Sequence, residues 1–187
     1  VAEATVSRFC RRLGYKGYNA FKLAIANATA RQHTGEETLT GQIQESDSIE
    51  EMCRKLYSAD VTAVTETLNL IHADQVRRAV QILAEADKVL CMGQGGSMVM
   101  AEEAAHLFST VSGKFFPVSD SHMQIISTAN MTERDVLLFF SYSGATKDMM
   151  DTLKAAGAAG VKIILVTRFP KAPGAALADL TLPCGSL

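Results

Sequence analysis

The sequence has no tryptophan and only four prolines in 187 residues, none of them before Pro117. Its four cysteines, Cys10, Cys53, Cys91 and Cys184, lie far apart and form no CxxC pair. That spacing argues against a zinc ribbon or a disulfide framework, and the cysteines read as reduced core thiols of a cytoplasmic protein. No stretch approaches the ~20 uncharged apolar residues that a membrane helix needs. The N-terminus lacks the layout of a signal peptide. No GxxxxGK[ST] occurs, so a P-loop is excluded. No metal or cofactor is expected.

What is there fits a folded chain. With 48% hydrophobic and 20% charged residues, disordered and fibrous classes are disfavoured, and the length suffices for one substantial core. The net charge of −2 hides an asymmetry. Residues 1–33 carry Arg8, Arg11, Arg12, Lys16, Lys22 and Arg31 against Glu3 alone, a net +5, which leaves −7 on the rest. A basic head on an acidic body suggests two jobs.

Residues 1–13 place Val6, Phe9, Cys10 and Leu13 at helical spacing, facing inward, and Gly14 ends the pattern. A second helical pattern runs over 18–30. Residues 34–48 lose periodicity and read as a linker. Ser48-Ile-Glu-Glu51 has the form of a capping box, opening a helix that extends to about Ile71. A further helix follows Asp74, with Val76, Ala79, Val80 and Leu83 on one face.

After Asp87 short apolar runs alternate with helical patterns. Strands are expected over 88–92, 115–118, 135–141, 161–167 and near 180–183, and helices over 97–111, 121–130 and 145–158. Apolar runs without polar alternation suit strands covered on both faces, and their alternation with helices implies βαβ units. The fold class is therefore α/β, a doubly wound parallel sheet preceded by helices.

Ligands of such sheets sit beyond the carboxyl ends of the strands. Two strand-to-helix junctions are chemically marked there, "GQGGS" (93–97) and "SYSGAT" (141–146). Both combine glycine with hydroxyls, both open a helix, and neither brings a carboxylate. Together they describe a cradle for an anion. Helix capping by Ser and Thr is the competing explanation for each loop. A dinucleotide is a weaker alternative: the first loop lacks the third glycine of GxGxxG, although Asp120 lies where a ribose-binding acid could stand.

Residues 88–187 resemble a sugar isomerase (SIS) domain, through "KVLCMGQGGSMVMAEEAA" and the SxSGxT segment within "DVLLFFSYSGATKDMMDTLKAAGAAGVKIILVT". The resemblance implies that a phosphorylated sugar is held by Ser97, Ser141, Ser143 and Thr146, with Gly95, Gly96, Tyr142 and Gly144 close by. His122, at the start of the helix after the second strand, is a further ligand-binding candidate. "VAEATVSRFCRRLGYKGYNAFKLAIA" resembles the recognition helix and following helix of RpiR-type transcriptional regulators, which join a helix-turn-helix to a SIS domain. On that resemblance residues 1–33 are a partial helix-turn-helix remnant, and residues 49–187 a SIS domain. Thr5, Ser7, Arg8, Arg11 and Arg12 would meet DNA. It also implies a homodimer or homotetramer, earlier helices upstream of Val1 and a closing helix beyond the last strand.

SIS domains also serve aldose–ketose isomerases, which need a positioned base. Glu102, Glu103, His106 and His122 are the nearest candidates, and the two loops hold no acid or histidine. A sensor is therefore expected, with no catalytic residue and with isomerase as the alternative.

Overall fold

The structure is a computed structural model that describes residues 3–15, 17–18, 20–22 and 42–185. The chain forms two compact units, residues Val1–Ser58 and Ala59–Leu187.

In the first unit, α1 (Glu3–Arg12) carries two basic residues in its last turn, where they complement the negative end of the helix dipole. Its apolar stripe is only partly covered, contrary to expectation. Cys10 is fully buried, but Phe9 and Leu13 remain 55% and 50% exposed. Phe21 meets the Phe9 ring edge-on at 5.8 Å and also approaches Tyr15, which leaves the other side of Phe9 open. The second helical pattern, beyond residue 22, and the linker up to residue 41 lie outside the described residues. Asp47 accepts from Lys55 Nζ and from the Gln44 amide, each at 2.7 Å. Those bonds, the lysine's first, hold its carboxyl below the usual range. The capping box is formed: the Ser48 amide donates to Glu51 Oε2 at 2.8 Å, and the Glu51 amide donates to Ser48 Oγ at 3.2 Å.

That box opens α2 (Ile49–Leu70), in which no residue is buried. Cys53 lies there and is exposed, and Cys184 is half-buried, so only Cys10 and Cys91 are core thiols; all four are free. α3 (Ala73–Glu85) follows, and Lys114 Nζ donates to the Ala84 and Ala86 carbonyls at its C-terminal end.

The sheet of the second unit comprises β1 (Val89–Gly93), β2 (Phe115–Val118), β3 (Val136–Phe140), β4 (Lys162–Thr167) and β5 (Leu180–Pro183). All pairs are parallel, in the order β2-β1-β3-β4-β5. Between them run α4 (Gly96–Ser109), α5 (Ser121–Ala129), α6 (Lys147–Ala158) and a 3₁₀ turn, Pro173–Ala176. Ends differ from expectation by one or two residues, as helix and strand termini do. The doubly wound parallel sheet is as expected.

Its two faces follow from the two-residue period of a strand. Val89, Cys91, Val136, Leu138 and Ile164 face α3 and α4 through Ala79, Ala101 and Ala105. Leu90, Met92, Leu137, Phe139, Ile163 and Leu165 meet Met149, Leu153 and Ala156 of α6. Each such large side chain stabilises the fold by about 1.5–3 kcal/mol on burial. The edge strands β2 and β5 carry Pro117 and Pro183, where a missing N–H disrupts least. On the first face Val76, Val80, Leu83, Phe140 and Val166 line an apolar groove of about 540 Å³.

The strand order sets the position of the site. From β1 the chain crosses outward to β2, then returns past β1 to β3 and continues the other way. Neighbouring strands β1 and β3 thus feed helices of opposite winding, and a crevice opens beyond their carboxyl ends.

Candidate functional site

The first wall of that crevice is the loop after β1. Gly93 closes the strand where a Cβ would lie 2.5 Å from the Ser97 carbonyl oxygen, so only glycine lets α4 start this close to the strand. The turn is held by backbone bonds from the Ser97 amide to the Gln94 carbonyl and from the Met98 amide to the Gly95 carbonyl. The N-cap of α4 is Gly95, at φ 55°, and no side chain caps the helix.

From α5, Gln124 fixes the outer ends of the strands. It is fully buried, and its Nε2 donates to the Gly93 and Val118 carbonyls at 2.8 Å each. Sequence reasoning missed this residue. Its signal was a glutamine on the inner side of α5, one turn before the buried Thr128.

The second wall is the loop after β3. Ser141 is buried; its amide donates to the Val166 carbonyl, and its Oγ accepts from the Gly144 amide at 3.1 Å. Gly144 has φ 60°, and a Cβ there would meet Ala172 Cβ at 2.6 Å and Thr167 Oγ1 at 3.0 Å. The Tyr142 carbonyl accepts from Thr167 Oγ1 at 3.2 Å and from the Arg168 amide at 3.3 Å. The Tyr142 ring meets Phe169 edge-on at 5.7 Å. The loop is therefore fixed from behind by residues 167–174, with Ser143 and Thr146 exposed.

α6 begins at Thr146 as N-cap, yet Thr146 makes no capping bond. Its Oγ1 donates instead to Gln94 Oε1 of the other loop, at 2.9 Å. The neighbouring α5 behaves in the opposite way: Asp120 Oδ1 accepts from the Met123 amide at 2.8 Å and caps the helix. Asp120 is thereby engaged as a cap, and it is not among the residues that line the cavity between the two loops.

Between the loops lies a cavity of about 430 Å³, lined by Gln94, Gly96, Ser97, Phe139, Phe140, Ser141, Tyr142, Ser143 and Thr146. Its size suits a small ligand. It thus unites Gly96, Ser97, Ser141, Tyr142, Ser143 and Thr146 from the predicted set. Gly95 and Gly144 shape the loops behind them. His122 is exposed on α5 and does not reach the cavity; as the second residue of a helix whose inner side is Gln124 and Thr128, it faces outward. Glu102, Glu103 and His106 are likewise exposed and outside the lining. Three lining residues were left out by sequence reasoning, Gln94, Phe139 and Phe140, and Gln94 is the polar one. Among the described residues no cluster of His, Cys, Asp and Glu could hold a metal, and no helix is long and apolar enough to cross a membrane.

In α1, Thr5, Arg8, Arg11 and Arg12 are exposed. Ser7 lies in the same helix, and its side chain is outside the described ones.

A parallel sheet with two helix starts that lack side-chain caps at its switch point makes this a doubly wound α/β domain with its crevice suited to an anion. The SIS-domain profile matches residues 82–184, and that of the helix-turn-helix domain, rpiR family, matches residues 1–32. The chain belongs to the RpiR family, in which these two parts are joined. It is 32% identical to an HTH-type transcriptional regulator of Caldanaerobacter subterraneus, over 97% of this chain and 63% of the relative. It is 24% identical to the regulator RpiR of Escherichia coli K12, over 96% and 60%. The chain thus spans under two thirds of these relatives' length. In fold it is similar to the Vibrio vulnificus NanR protein complexed with ManNAc-6P, with a TM-score of 0.70 and 23% identity, over 99% of this chain and 64% of that one.

Proposed function

We propose that this chain is the sensing part, with a portion of the DNA-reading head, of a transcriptional regulator whose effector is a phosphorylated sugar. The head is residues 1–33, joined through 34–48 to a sensor of residues 49–187. The observation that carries the proposal is the pair of helix starts at the cavity. Their amides lack side-chain caps although hydroxyls stand beside them. A phosphate ester supplies the missing acceptors: its oxygens take hydrogen bonds from Ser97, Ser141, Ser143 and Thr146 and gain from both helix dipoles. The similar NanR complex holds a phosphosugar, ManNAc-6P, which agrees with this reading.

The lining holds no carboxylate or imidazole to move a proton between carbons. That supports sensing over isomerisation. For sensing, effector binding must bias an arrangement of the DNA-reading heads by about 1–3 kcal/mol. Three contacts support such a route. The Arg168 amide bonds the Tyr142 carbonyl of the second loop, and its guanidinium lies 3.0 Å from Glu66 of α2. The Gly185 amide donates to Thr67 of the same helix at 2.7 Å. The N-terminal end of α2 leads back in sequence to the head. Exposed Thr5, Arg8, Arg11 and Arg12 suit base edges and phosphates, and paired half-sites would require a homodimer or homotetramer acting in the cytoplasm.

A thermal-shift panel tests the proposal. Sugar phosphates at a hundredfold excess over Kd should stabilise the chain by about 2.7 kcal/mol, and the same sugars without phosphate should leave the melting point unchanged. Equal shifts from both series would refute it.

A further inference from the structure

Among the described residues, no acceptor meets the buried side-chain nitrogen of Gln94. The residue follows β1 directly and lines the cavity. Its Oε1 accepts the proton of Thr146 Oγ1 at 2.9 Å, across 52 residues of sequence. A primary amide has one accepting oxygen and two N–H donors, so the present arrangement uses the oxygen and strands the nitrogen. It also turns the Thr146 proton away from the cavity that an anion would enter. Both groups are set against the chemistry of the site.

One rotation reverses both. The terminal torsion of glutamine is broad and two-fold, so the amide can turn over in place. Nε2 then donates to Thr146 Oγ1, and the threonine proton is released toward the cavity, where an anionic oxygen accepts it. The nitrogen gains a partner in the same step, while the amide oxygen moves to the buried place the nitrogen held and gives up its bond to Thr146. Resting on the phosphate reading above, we propose that Gln94 is a positioning residue that selects the direction of the Thr146 hydroxyl proton: toward its own oxygen when the cavity is empty, toward the anion when it is filled. Gln94 acts through Thr146 rather than on the anion itself. The role needs a side chain able both to accept and to donate at one place. Glutamate can only accept, and it would hold Thr146 in the ligand-free direction while repelling the anion. Methionine has the length of glutamine and does neither.

The probe is inorganic phosphate, titrated into the whole chain and its variants by calorimetry. Thr146→Val should weaken binding about tenfold and Gln94→Met about fivefold, each by loss of one charge-assisted bond or its orientation. The double variant should bind as Thr146→Val does, within about twofold, because without the hydroxyl there is no proton to direct. Gln94→Met in a Thr146→Ser background, which keeps a hydroxyl, should again cost about fivefold. Ligand-free Gln94→Met should melt no lower than wild type, since it removes a stranded buried N–H. Additive losses of about fiftyfold in the double variant would overturn the proposal by showing direct contact with the anion. Wild-type affinity in Gln94→Met would overturn it too, while leaving the phosphate reading intact if Ser141→Ala/Ser143→Ala still binds poorly. Absence of phosphate binding by the wild type would overturn both.

Discussion

The junction after β2 and the junctions after β1 and β3 solve one local problem differently. Each must start a helix and satisfy the first free amides. After β2 the molecule does so internally, with Asp120 accepting from the Met123 amide. After β1 and β3 the N-caps are Gly95 and a Thr146 whose hydroxyl does not cap. Thr is a capable cap, so its diversion to Gln94 is informative. The carboxylate stands where no ligand is expected, and the open starts face each other across the cavity. The difference teaches that hydroxyls near a helix start indicate binding only when they are seen not to cap.

The sharpest way to break the contrast is to make the third junction resemble the second. Thr146→Asp would cap α6 and place a negative charge in the cavity. Sugar-phosphate affinity should fall at least about a hundredfold, while ligand-free stability holds or rises by about 0.5–2 kcal/mol, read by calorimetry and thermal melting. Removing hydroxyls is milder. Ser141→Ala/Ser143→Ala deletes two charge-assisted bonds worth about 1.5–3 kcal/mol each, so binding should weaken at least tenfold. Affinity equal to wild type would place the anion elsewhere.

The converse substitution, Asp120→Ala, should cost about 1 kcal/mol of stability in chemical denaturation and leave affinity unchanged. A loss of affinity would show that this junction also serves the ligand. The smallest effect concerns Asp179, remote from the contrast and useful as its control. Burial alone would raise its carboxyl, but the Ile163 amide and Lys162 outweigh that and hold it below its usual value. A lowered folded-state pKa contributes stability above the unfolded value, about 3.9, that is lost as pH falls through the folded one. Melting curves of wild type and Asp179→Asn should therefore converge below about pH 4. Sugar-phosphate affinity at pH 7 should be the same in both.

The strands were legible because Val136–Phe140 and its neighbours are apolar without alternation, which only a doubly covered sheet explains. The junction after β3 was legible because a buried strand ended in three hydroxyls around Gly144. Gln94 was not, since a glutamine between glycines has no periodicity, and its partner Thr146 is distant in sequence. Nor was Gln124, whose role depends on two strand ends that meet only in the fold. His122 lies outside the cavity lining, because proximity to a strand end does not fix which way a helix turns its second residue. In α1 the spacing of Val6, Phe9, Cys10 and Leu13 gave the helix, but of the expected inward stripe only Cys10 is buried. That spacing could not tell that Cys10 would be buried and Phe9 left half open. Thiol chemistry tracks the same distinction: burial pushes the Cys91 thiol up to about 12, so alkylation of the native chain should reach exposed Cys53 and spare Cys91.

Co-crystallisation with a phosphosugar that raises the melting point probes the account at its root. Phosphorus should be found within hydrogen-bonding reach of the Ser97, Ser141, Ser143 and Thr146 hydroxyls. A crevice left empty beside ligand bound elsewhere, or one occupied by adenine and ribose from a nucleotide soak, would contradict it.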